Sequence, residues 1–201
     1  MFSAHFLAAL QNTLDRIDQT AIEAVARDLA AVRARGGRLF IVGVGGGAGH
    51  ASHAVNDFRK ICGFEAYSPS DNVSELTARI NDEGWENCYA AWLEGSRIRA
   101  EDGLLVFSVG GGSTEPPVSI NIVRALQRAR AAGSTITGVV GRSGGYTAEV
   151  ADSCCIVPTV AAALVTPLVE AMQAVIWHLL VAHPALARQP GRWEQLAVAA
   201  Q

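Results

Sequence analysis

The chain has 201 residues, half of them hydrophobic, and its 16 Lys and Arg against 19 Asp and Glu leave a formal charge of −3. That length suits one domain with a sizeable core. The weak acidic balance disfavours long-range attraction to nucleic acid. No run reaches the ~18 uninterrupted apolar residues of a membrane span, so neither nucleic acid nor membrane is expected as a partner. The start lacks a basic segment followed by an apolar run, so no secretory signal is expected. Cys62, Cys88, Cys154 and Cys155 show no CxxC or disulfide-framework spacing, so they read as reduced thiols in a cytoplasmic protein.

Residues 3–35 read as one long amphipathic helix, with Phe6, Leu10, Leu14, Ile17, Ala21, Val25, Leu29 and Val32 at three- and four-residue steps, ended by Gly36-Gly37. Placed before the first strand, such a helix either packs on a partner subunit or covers its own core. Residues 39–42 form a short apolar strand that runs into Gly43, Gly45, Gly46, Gly47 and Gly49, then into helical spacing through Ala51, Ala54, Val55 and Phe58. Strand, glycine loop and helix N-terminus together make an anion site, because free backbone N–H groups point outward there. His53 and Asp57, four apart, share one face of that helix.

Further along, residues 64–67 read as a second strand and 68–72 as a turn or active-site loop. Short helices follow at 74–80 and 85–93. Residues 104–108 make another buried strand, again running into glycines (Gly110, Gly111, Gly112), with a helix over about 118–132. Strands at 135–140 and 155–157, a long apolar helix at 164–181 and a short piece after Pro190 complete the chain. Alternating strands and helices predict an α/β fold, a three-layer α-β-α sandwich around a central parallel sheet, Rossmann-like, with ligands at the carboxyl ends of the strands. The Gly43-x-Gly45-x-x-Ala48 spacing lacks an acidic residue ending a second strand for a ribose, and no lysine-bearing P-loop occurs, so no nucleotide cofactor is expected.

From about Gly36 to Pro184 the chain resembles the sugar isomerase (SIS) domain family, and within it the phosphoheptose isomerases. The family's GNGGSAADAQHxxAE is met by GVGGGAGHASHAVND at 43–57, and its TSALTAIGNDYG by VSELTARINDEG at 73–84. Its serine-rich phosphate loop, STSGNSPNVLRAL, is met at the ends by Ser108 and by SINIVRAL at 119–126, with an insertion between. Its GLTGRDGG is met by GVVGRSGG at 138–145, and Glu170 and His178 fall on a glutamine and a histidine of its last helix. The resemblance implies a single SIS domain with an N-terminal oligomerisation helix (3–35), a core (36–184) and a short tail (185–201), assembled as a homotetramer with sites where subunits meet.

It also implies aldose–ketose isomerisation of sedoheptulose 7-phosphate through an enediol, with Asp57 on the family's glutamate base and His178 on its histidine acid. His53, Asp57, Glu170 and His178 would hold a divalent metal, zinc being the ion that two imidazoles and two carboxylates suit. Gly45, Gly46, Gly47, Asn72, Ser108, Gly110, Gly111, Gly112, Ser113, Ser119 and Glu170 would bind the phosphosugar. Val44, Gly47, Val109 and Gly110 replace polar or hydroxyl-bearing family residues, which shifts phosphate binding toward backbone N–H groups. Other readings from the same motifs are a phosphosugar-sensing regulator, a partner of a DNA-replication initiator, and a structural oligomer with a vestigial site.

Overall fold

Five strands, β1 (Leu39–Gly43), β2 (Ala66–Tyr67), β3 (Gly103–Ser108), β4 (Thr135–Val140) and β5 (Ser153–Ile156), form one parallel sheet in the order β2-β1-β3-β4-β5. The structure is a computed structural model that describes residues 1–199. β1, β3 and β4 are almost wholly buried, which is why they read as unbroken apolar runs instead of alternating ones.

One face of the sheet is covered by α2 (Gln19–Ala34), α3 (Gly46–Lys60) and α8 (Val165–Ala182), which bring Leu29, Phe58 and Trp177 into a common core with Ile41 and Leu105. The other face carries α4 (Val73–Glu83), α5 (Cys88–Gly95), α6 (Ile120–Ala131) and α7 (Gly145–Val150), and there Trp92 meets Phe40 edge-on at 5.4 Å between ring centroids. In this strand order the chain runs one way from β1 to β2 and the other way from β1 to β3. The loops leaving β1 and β3 therefore diverge and open a crevice at their carboxyl ends.

The expected single N-terminal helix over 3–35 is two helices, α1 (Phe2–Arg16) and α2. Ile17 is extended, and the Asp18 carboxylate accepts from the N–H groups of Thr20 (2.9 Å) and Ala21 (3.2 Å), starting a new helix. The apolar stripe continues across the break, which is why periodicity alone joined them. α2 buries Ile22, Val25, Ala26, Leu29 and Val32 against its own sheet. α1 buries only Thr13 and leaves Phe2 and Leu7 exposed.

The second strand is shorter than expected, β5 begins two residues early, and α5 begins at Cys88, after a turn that holds Trp85. α7 was not foreseen, because it starts inside a glycine cluster. α9 (Arg192–Ala199) confirms helix in the tail, whose last two residues lie outside the described ones. α8 is long and apolar enough to cross a membrane, but half of that stretch is buried in this fold, as in a core helix. The cysteines are unpaired, and burial pushes the Cys62 thiol up to about 11 and those of Cys154 and Cys155 to about 12.

At the opposite end of the sheet Asp102, with a fully buried side chain, ties three strands together. Its carboxylate accepts from the Arg38 backbone N–H (2.9 Å), Arg38 Nη2 (2.7 Å) and the Arg99 N–H (3.0 Å), while its carbonyl accepts from Thr135 (3.1 Å). Burial raises the affinity of this carboxyl for a proton, but the hydrogen bonds from Arg38 and Arg99 outweigh burial and hold it below the ordinary carboxylate value. Its folded pKa is depressed, so its contribution is present above the unfolded carboxylate value near 4 and is lost as pH falls through the folded one. Asp102→Ala is expected to cost about 3 kcal/mol by urea unfolding at pH 7. The gap from the parent chain should shrink as the pH falls below about 4; an equal gap at both pH values would contradict this role.

Candidate active site

The first glycine loop brings α3 down onto the sheet. A Cβ added at Gly47 would stand 2.6 Å from the Phe107 carbonyl oxygen at the end of β3. The serine of the family motif is therefore not accommodated here without moving α3, and glycine at this position is a packing requirement. Gly45 adopts φ +59, which turns the chain from β1 into α3.

With α3 seated this low, its outer face lies beside α8, and three side chains from the two helices converge. One ligand atom from each of His53, Asp57 and His178 lies within 4.8 Å of the others. His53 Nε2 is 3.8 Å from Asp57 Oδ2, and the His53 and His178 rings meet perpendicularly at 5.6 Å. Each is held from behind. Asn56 Nδ2 donates to Asp57 Oδ1 at 2.7 Å. His178 Nδ1 lies 2.7 Å from the Ala174 carbonyl, an acceptor only, so Nδ1 carries the hydrogen and Nε2 is left free for a proton or a metal. The buried Trp177 ring packs against both imidazoles, at 4.6 Å from His53 and 3.5 Å from His178. The two histidines are exposed on the single chain, and Asp57 is half-buried.

Two imidazoles and one carboxylate at this spacing fit a divalent ion with three protein ligands and open positions. Glu170, expected as a fourth ligand, is not in the group. It lies on α8 eight residues before His178, and its carboxylate rests against the first glycine loop: a Cβ at Gly46 would stand 2.6 Å from Glu170 Cδ. That places a negative charge in the crevice between β1 and β3. His50 sits between the two sets; burial lowers its affinity for a proton, against the pull of the Glu170 charge and backbone carbonyl. Its ring also meets Phe107 edge-on at 6.3 Å.

The second glycine loop folds on itself. Ser108 Oγ accepts from the Gly111 N–H at 3.0 Å, and Thr147 returns two bonds to the Gly111 carbonyl, N–H at 2.9 Å and hydroxyl at 2.7 Å. Gly110, Gly112 and Ser113 line a cavity of about 430 Å³ with Arg142 and Tyr146 from the β4–α7 segment. Ser119, just before α6, sits at φ +48 and caps nothing. The Asn72 side chain accepts from the N–H groups of Ser74 (3.2 Å) and Glu75 (3.3 Å) as the cap of α4, and it lines another cavity with Arg38 and Tyr67.

The start of the tail walls the site. A cavity of about 570 Å³ opens beside Asp57 and His178, closed by Ala187, Arg188 and Gln189. The tail is pinned by the Arg188 N–H on the Ile61 carbonyl (2.9 Å) and by Arg33, whose guanidinium donates to the carbonyls of Cys62 (2.8 Å), Ala185 (3.0 Å) and Leu186. Nothing in the local sequence pattern signals this, because Arg33 lies 152 and 153 residues from Ala185 and Leu186.

Residues 5–141 match the SIS domain model. The chain is 35% identical over 152 residues to phosphoheptose isomerase from Mycobacterium tuberculosis, covering 72% of this chain and 73% of that one. To phosphoheptose isomerase from Rhodospirillum rubrum it is 30% identical over 156 residues, 75% of this chain and 77% of that one. The lincomycin biosynthesis protein LmbN of Streptomyces lincolnensis is 32% identical over 159 residues, and the match spans only 56% of its length. Among solved structures, phosphoheptose isomerase GmhA from Neisseria gonorrhoeae superposes with a TM-score of 0.76 at 22% identity, over 90% of this chain and 95% of that one. The chain belongs to the SIS domain family and, within it, is similar to the phosphoheptose isomerases.

Proposed function

We propose that the chain is an aldose–ketose isomerase that converts sedoheptulose 7-phosphate to D-glycero-D-manno-heptose 7-phosphate. The observation that carries this reading is the convergence of His53 and Asp57 on α3 with His178 on α8. Base, acid and oriented imidazoles meet at the motif positions shared with phosphoheptose isomerases. Isomerisation needs a carboxylate to take a proton from C1 of the ketose and a group to return one at C2. Asp57 Oδ2 is the free carboxylate oxygen, since Oδ1 is engaged by Asn56. His178 presents Nε2, with the ring fixed through Nδ1. Held by His53, Asp57 and His178, zinc or a similar ion would take up His178 Nε2 and would polarise the carbonyl and stabilise the enediolate in place of proton donation from that nitrogen.

Chemistry of this kind needs water excluded, yet both histidines face solvent on the single chain, with Val175 and Leu179 exposed on the same helix. A second copy closing over this face, within a homotetramer in the cytoplasm, would complete the site.

The assay is conversion of sedoheptulose 7-phosphate followed by NMR. Asp57→Asn and His178→Ala are each expected to lower kcat by about 100-fold or more. Saturable binding of the sugar phosphate without turnover would instead mark the chain as a phosphosugar sensor.

The metal is tested separately. Zinc content near one per chain in the parent and loss of it in His53→Ala would support the three-residue site, and Glu170→Gln should retain the metal. Equal loss of metal in Glu170→Gln would return Glu170 to the ligand set.

A further inference from the structure

A phosphate dianion leaving water requires several donors and a counter-charge, and the second glycine loop has spent much of what it offers. The Gly111 N–H is bound to Ser108 Oγ, the Ser113 N–H bonds the Val118 carbonyl at 2.9 Å, and the Ser113 hydroxyl donates to the Glu115 carbonyl at 3.1 Å. Val109 and Gly110 have no hydroxyl to contribute.

The insertion between Ser108 and Ser119 compensates by shape. Its antiparallel bridge between Ser113 and Val118 folds it back toward the β4–α7 segment, and the two enclose the cavity of about 430 Å³. Arg142 is the one cation lining that cavity among the described residues. Its aliphatic stem lies over the loop, with Cδ 3.8 Å from where a Cβ on Gly110 would stand. Its guanidinium forms no ion pair among the described residues. It is held on a backbone with φ +55, a conformation a non-glycine residue adopts at a cost. Arg142, without an ion pair among the described residues, shares the cavity with the Thr114 and Ser143 hydroxyls, which together offer an anion a cation and two donors. Glu115, Glu149 and Tyr146 line the same cavity and suit the hydroxyls of the molecule that carries the anion.

We infer that Arg142 is the phosphate-binding cation of this site, holding a phosphomonoester in the cavity between the insertion and the β4–α7 segment. The identity of the phosphosugar rests on the reading above; the role of Arg142 does not. Planar, bidentate recognition by guanidinium is the reason arginine and not lysine would be needed.

The test titrates inorganic phosphate into the full chain by phosphorus NMR and measures KM for sedoheptulose 7-phosphate. Arg142→Gln is expected to weaken phosphate and raise KM by about tenfold or more, with a much smaller change in kcat. Arg142→Lys should recover part of the loss. Arg130→Gln, the same charge change at an exposed position in the last turn of α6, should do neither. Phosphate binding to Arg142→Gln as tight as to the parent, no phosphate binding by the parent, or a fall in kcat alone would overturn the assignment. Phosphate binding that depends on Arg142, without turnover of sedoheptulose 7-phosphate, would keep the assignment and remove the isomerase.

Discussion

The contact on which the site depends is the seat of α3 on the end of β3, where Gly47 lies against the Phe107 carbonyl with no room for a Cβ. A helix packed this close to the sheet shares a layer with α8, and side chains from the two helices then meet within a few ångströms. Move α3 outward by the width of a methyl group and His53 and Asp57 separate from His178. The replacement of the motif serine by glycine is, on this view, a change in how the helix is held, made where the hydroxyl would otherwise have reached a ligand.

The two glycine loops, alike in sequence, do different things. The first lies in the crevice between β1 and β3 and receives the Glu170 carboxylate from α8. A helix start that already faces a negative side chain is a poor place for a phosphate. The second is stitched internally through Gly111 and is flanked by a cation. The Asp57 and Glu170 carboxylates stand by α3 and α8, while Arg142 stands over the second loop in a cavity that Glu115 and Glu149 also line. A phosphosugar that reacts at one end and is anionic at the other would span the two.

Much of this was legible in the amino-acid sequence because local signals were strong. The unbroken apolar runs before both glycine loops gave β1 and β3, and β4 was read to the residue. His53, Asp57 and His178 were visible through motif and helical spacing. What could not be read depended on distant partners or on competition between local signals. Asp18 is both a plausible surface residue of one long helix and a cap, and only the packing of α2 on the sheet decides for the cap. Glu170 shares a helical face with His178, but spacing along one helix does not say which neighbouring loop a side chain touches. The resemblance alone suggested Asn72 for the substrate, and its part in capping α4 follows from the local sequence. The pinning of the tail by Arg33 joins residues far apart in the chain, and periodicity carries no trace of it.

The central claim is a proton transfer between two carbons within a site built by α3 and α8. It is tested most directly by running the conversion of sedoheptulose 7-phosphate in deuterium oxide and reading the aldose product by NMR. Solvent deuterium at C2, through an enediol whose proton is exchanged by the protein, is the predicted result. No aldose at all from a folded, phosphate-binding chain, or aldose formed by Asp57→Asn at the parent's rate, would contradict it.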